Sequence, residues 1–162
     1  MRTNKVRKGE HKVTDMISEK DCTKQVRQVG NQVGLLYYHF AKTLVNELGE
    51  AEGKRLILEA IRSYGNERGA TIREKVENAG LELTIENFAK FSDLPSSGWE
   101  YTDEGTTYCC YAEAWMDRGV ENLGRLYCEV DFALIKAYNP KIQATRVGSI
   151  LDGDPCCKMV FE

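Results

Sequence analysis

The stretch YCCYAEAWMDRGVENLGRLYCEVDFALIKAYNPKIQATRVGSILDGDPCCKMVFE, residues 108–162, changes hydrophobic period several times, and those changes decide the fold. Residues 106–112 alternate as a strand, which predicts Cys109 and Tyr111 on one face and Tyr108, Cys110 and Ala112 on the other. Leu123, Leu126, Tyr127, Val130 and Leu134 then recur at helical spacing, with Cys128 and Asp131 three apart on the flank of the stripe. A thiol and a carboxylate are thereby expected on one helix face. Beyond the Asn139-Pro140 turn, residues 142–151 read as a strand and Asp152-Gly153-Asp154-Pro155 as a turn. Cys157, Met159 and Phe161 follow as the inward side of a last strand. Cys109, Cys128 and Cys157 thus fall on three separate elements.

The chain before this stretch reads as helical. Val33, Leu36, Tyr37, Phe40, Leu44 and Leu48 step by three and four, and Gly49 marks a stop. His39 lies with Leu35 at the edge of that stripe. A second helix from about Glu50 carries Ile57, Ala60, Ile61, Tyr64, Ile72, Val76 and Ala79 on one side and ends at Gly80. Arg68 falls on the same side. Gly65 and Gly69 beside it each cost roughly 0.5–1 kcal/mol relative to alanine, so either another element packs into the groove they leave or a ligand approaches there. A buried guanidinium requires a carboxylate, either a ligand's or an internal one such as Asp131. Thr84, three residues before Asn87, predicts the cap of a short helix through Phe91. Residues 99–102 and 106–112, flanking Asp103-Glu104-Gly105, predict a hairpin. The expected fold is α+β: N-terminal helices packed on a C-terminal antiparallel sheet of about four strands with an inserted helix.

Length and composition set the remaining bounds. With 42% hydrophobic and 29% charged residues in 162, the chain is one globular domain's worth and not disordered or fibrous. Residues 1–30 hold eight Lys or Arg against four Asp or Glu and read as a basic arm or weak helix, leaving 31–162 as a single α+β domain. The net charge of -3 argues against a nucleic-acid partner. No apolar run approaches the roughly 18 residues that span a bilayer, and the N-terminus lacks a signal peptide's apolar core, so no membrane partner and a cytoplasmic location are expected. Six cysteines in that setting read as core fillers, ligands or nucleophiles before disulfides.

Taken in order, Ser63-Tyr64-Gly65-Asn66-Glu67-Arg68-Gly69, Tyr108-Cys109-Cys110-Tyr111-Ala112-Glu113-Ala114-Trp115, Tyr127-Cys128-Glu129-Val130-Asp131, Tyr138-Asn139-Pro140 and Gly153-Asp154-Pro155-Cys156-Cys157 resemble the L-2-amino-thiazoline-4-carboxylic acid hydrolase family over roughly residues 33–162. That family looks related in turn to the 4-vinyl-reductase-type small-molecule-binding domains. The resemblance implies hydrolysis of a C–N bond in a small cyclic amidine or amide, giving N-carbamoyl-cysteine from the eponymous substrate. Such a reaction needs a nucleophile or activated water, a proton carrier and a cation for the substrate carboxylate. Cys109 or Cys128 are candidates for the first, Asp131 or His39 for the second and Arg68 for the third, with Tyr64, Tyr111 and Trp115 as pocket walls. An ionised Asp131 three residues from Cys128 opposes thiolate formation, which favours Asp131 as base unless a metal resolves the conflict. A thiophilic divalent ion such as zinc on Cys109, Cys128 and Cys157 is a second reading, although no CxxC spacing supports it. A noncatalytic pocket for a small molecule is a third, and a homodimer is compatible with any of them. Against all three stands plain packing, since free cysteine is among the most buried residue types.

Overall fold

The computed structural model describes residues 17–162, so the first half of the basic arm lies outside the described residues. Helix α1, Glu19–Asn78, begins where the Ser18 side chain accepts the Asp21 N–H, and it is broken once, at Gly49. There φ is +80° and ψ 165°, a conformation that only glycine adopts without strain. A Cβ placed on Gly53 would lie 2.7 Å from Val45 Cα, whereas eight residues along an unbroken helix span about 12 Å. The two arms of α1, residues 19–48 and 50–78, therefore fold back on each other as a hairpin.

The first arm does not bury the stripe that its spacing predicts. Val33, Leu36, Phe40 and Leu48 are 39–65% exposed, while Gly30, Gly34 and Ala41 are buried. The reason is helix α3, Cys110–Met116, which crosses the arm so closely that a Cβ on Gly34 would meet the Tyr111 carbonyl oxygen at 2.9 Å. Only a line of small residues admits that approach. The larger side chains are left outside. Trp115 pins the crossing by donating its indole N–H to the Gly34 carbonyl at 2.8 Å.

The second arm takes helix α5, Val130–Tyr138, across Gly65 and Gly69. A Cβ on Gly65 would stand 2.8 Å from both Ala133 Cβ and the Val130 carbonyl oxygen, and one on Gly69 would stand 2.9 Å from Ala137 Cβ. A neighbouring helix, and not a ligand, fills the groove. Ile57, Ile61, Trp115, Tyr127 and Val130 share one apolar cluster, and Ile72, Val76, Leu134, Ile135 and Tyr138 share a second. Short helix α2, Ile85–Lys90, begins at Thr84, whose hydroxyl accepts the Asn87 N–H as the spacing predicts.

Strands β1, Trp99–Thr102, and β2, Gly105–Cys109, form the expected antiparallel hairpin. The second strand stops earlier than its alternation suggests. Cys110 opens α3, where Ala112 and Ala114 favour helix and Cys110 packs into the space at Gly30. Likewise the helix read through residues 123–134 is two helices, α4, Glu121–Tyr127, and α5, with Cys128 and Glu129 in the turn between them. Strand β3, Ala144–Gly148, gives way to a 3-10 turn at Ile150–Asp152, and β4 is Lys158–Phe161. Phe161 is not inward: it is partly exposed. The fold is α+β, but the four strands make two separate hairpins, β1–β2 and β3–β4, in place of one sheet. Thr106 and Cys157 exchange both backbone hydrogen bonds, at 2.9 and 2.8 Å, and join them. No helix of the described residues is long and apolar enough to cross a membrane.

Replacing Gly65 by valine is expected to destabilise the fold by about 1–3 kcal/mol in urea unfolding, because the new side chain meets a helix backbone that cannot yield. A stability unchanged within error would mean that α5 does not lie in the groove.

Candidate active site

Where the second arm of α1, the α4–α5 turn and the end of β2 meet, the fold gathers Tyr64, Arg68, Cys109, Tyr111, Tyr127, Cys128 and Asp131. Tyr111 and Tyr127 stand edge-on with ring centroids 5.5 Å apart, and Trp99 continues the row at 5.6 Å from Tyr111. Tyr64 lies under the Arg68 guanidinium, which stands 5.2 Å from its ring centroid. Burial raises the Tyr111 hydroxyl to about 12, with the Cys110 thiol adding to the effect, so this wall is neutral at physiological pH.

Arg68 has found the internal carboxylate that its burial requires, but from a residue the sequence reading passed over. Asp93 grips it through Nε and one terminal nitrogen at 2.8 and 2.6 Å. That pairing pulls the Asp93 carboxyl below its ordinary range. A ligand carboxylate has only the second terminal nitrogen to address.

The second cation was also not singled out from sequence. Arg146, on β3, is only 10% exposed and donates to the Cys128 carbonyl. It also reaches Asp131 Oδ2 at 3.3 Å and Glu129 Oε1 at 3.6 Å, while its plane covers the Phe132 ring at 4.6 Å. A carbonyl at the end of α4 and two carboxylates at the start of α5 thus converge on one guanidinium, which stabilises the turn. Alternation along residues 142–151 does place Arg146 among apolar neighbours, and a charge at such a position is the signal that would have found it.

The thiols are held neutral. Burial raises Cys128 to about 12, Asp131 adds to the rise and Arg146 opposes it. Cys109 and Cys157 are near enough that charge on either disfavours charge on Cys128. Burial raises Cys109 to about 11 even though the N–H groups of Ala112 and Tyr111 at the start of α3 pull it down. The Asp131 side chain is 53% exposed, yet surrounding protein raises its carboxyl above the ordinary carboxylate range, against the pull of Arg146 and Arg68.

Other expected members are elsewhere. His39 is exposed on the first arm of α1, its ring against Tyr38, and does not reach the cluster. Trp115 is buried and committed to Gly34, which makes it a core residue behind the wall formed by Tyr127. Cys157 accepts the Ile150 N–H at 3.4 Å. Among the described residues no three histidine, cysteine or carboxylate side chains form a group able to hold a metal ion. Cys109, Cys128 and Cys157 share a neighbourhood, not a coordination sphere, so the donor set does not fit zinc.

A helix-rich α+β domain thus brings together an aromatic cluster, a raised carboxylate, neutral thiols and two guanidinium groups. The chain belongs to the L-2-amino-thiazoline-4-carboxylic acid hydrolase family, whose model matches residues 31–161. No curated protein and no solved structure matches it.

Because the folded pKa of Asp131 is raised, its ionisation opposes folding. The native state holds the extra proton between the unfolded value, near 3.9, and the higher folded one, so this group's contribution falls as pH rises through that window. Asp131→Asn is therefore expected to melt at a higher temperature than the native chain at pH 7, with the gap closing below about pH 4. A lower melting temperature at pH 7 would show that the Arg146 pair outweighs the burial.

Proposed function

We propose that the protein hydrolyses a small cyclic amidine bearing a carboxylate, of the 2-amino-thiazoline-4-carboxylate kind, with Asp131 as the general base. The observation that carries this is the placement of Asp131: half exposed, raised by its surroundings, paired with Arg146 and close enough to Arg68 to feel its charge. In its ionised form a carboxylate so placed is a stronger base than one in water. It takes a proton from a water molecule that adds to the amidine carbon. The tetrahedral adduct then collapses, and the proton returns to the departing atom.

Which ring bond breaks follows from the product. N-carbamoyl-cysteine keeps both nitrogens on the former amidine carbon and frees the ring sulfur, so forming it breaks C–S. Rupture of the ring C–N bond would leave an S-carbamoyl thiol ester instead. The C–N cleavage expected from the family resemblance and the N-carbamoyl product are thus different outcomes, and the proposal takes the second. Cys128 is not the attacking group in this scheme, because a thiol raised to about 12 by burial is almost wholly protonated at pH 7. The ligand carboxylate is assigned to the free nitrogen of Arg68, and its flat ring to the face between Tyr64 and Tyr111.

Incubating the reduced protein with L-2-amino-thiazoline-4-carboxylate should release one titratable thiol per turnover without ammonia, with N-carbamoyl-cysteine seen by mass spectrometry. Asp131→Asn should lower kcat by about 10²–10⁴-fold, while Cys128→Ser stays within about tenfold. Loss of activity in Cys128→Ser with Asp131→Asn spared would reverse the two roles. Absence of turnover in a folded protein, with ligand binding retained, would leave a noncatalytic pocket as the reading.

The acid limb of kcat/KM should have its midpoint above the ordinary carboxylate value, since the base is the ionised form of a raised carboxyl. In Arg146→Gln, with the opposing cation gone, that midpoint should move to higher pH. A limb that stays in place would mean that another group sets it.

A further inference from the structure

The first arm of α1 presents an apolar seam that no described element covers. Val29, Val33, Leu36 and Phe40 are 39–65% exposed and recur at steps of four, three and four, the spacing by which two helices interlock. The flanking positions Gln25, Gln32 and Thr43 are exposed and uncharged, and between Cys22 and Asn46 this face holds no Asp, Glu, Lys or Arg. The centres of protein interfaces are depleted of charge in the same way.

We propose that this seam pairs with the same seam of a second copy, antiparallel, about a twofold axis passing between Val33 and Leu36. The order of side chains along the seam favours this partner and this direction. In the antiparallel pair Val29 meets the second copy's Phe40 and Val33 meets its Leu36, so each small side chain faces a large one. A parallel pair sets Phe40 on Phe40 and Val29 on Val29, overfilling one end and leaving a gap at the other. Self-complementarity of this kind is the requirement for a twofold interface. The uncharged exposed face from Cys22 to Asn46 is about 36 Å long and about 12 Å across. Two such faces bury on the order of 900 Å² in total, the size of a weak, reversible interface. Because the seam is uncharged, bringing two copies together sets no like charges against each other.

Sedimentation equilibrium of the full chain should show a dimer in the micromolar range. Val29→Glu and Phe40→Lys should each raise the dissociation constant about tenfold or more. Combined in one chain they should restore dimerisation, because in the antiparallel pair the introduced charges meet as opposites at both ends. Circular dichroism should be unchanged throughout, as both positions are exposed. A double variant weaker than either single one would overturn the antiparallel arrangement. A monomeric full chain would overturn the proposal, whether residues 1–16 or a different protein covers the seam.

Discussion

The backbone of α5 lies against two residues that have no side chain, and the site depends on that contact. Gly65 and Gly69 let Val130, Ala133 and Leu134 approach the second arm of α1 at van der Waals distance. Tyr64 and Arg68 immediately precede those glycines, and Asp131 immediately follows Val130. Fixing the register of two helices therefore also fixes the spacing of a guanidinium, a phenol and a carboxylate. Each glycine weakens its helix in isolation, by roughly 0.5–1 kcal/mol, and the burial of α5 offsets that.

Charge in the cluster is balanced and not maximised. Arg146 faces two carboxylates and a helix-terminal carbonyl, while Arg68 is held by Asp93. Neither cation dominates its surroundings. The result is a carboxylate that remains raised beside two guanidinium groups and thiols that remain protonated beside one. Such an arrangement suits proton transfer better than attack by a thiolate, which needs a surplus of positive charge.

The parts of this architecture that were legible in sequence are those fixed by local chemistry. The break at Gly49, the cap at Thr84, the hairpin at Asp103-Glu104-Gly105 and the turn after Asp152 each rest on a residue's own backbone preferences. Positions decided by a distant partner were not legible. The apolar spacing of the first arm is real, but α3 needs a line of small residues to approach, so the arm turns Gly34 inward and Phe40 outward. Alternation through Cys110 and Ala112 gives way to helix because Cys110 fills the space at Gly30, 80 residues earlier in the chain. In the site, Cys109, Cys128, Asp131, Tyr64, Tyr111 and Arg68 do converge as expected. Asp93 went unseen because it is defined by the charge it meets across the fold, Arg146 although its place among apolar neighbours marks it, and His39 was included only for its chemistry.

The Arg68–Asp93 pair makes the protein its own competitor for the site. Asp93 is tethered, so it is present at Arg68 at a fixed effective concentration, commonly millimolar for short linkages, whatever the amount of ligand outside. For the proposed substrate, displacing Asp93 or sharing Arg68 with it therefore requires that the rest of the molecule add binding against the aromatic wall.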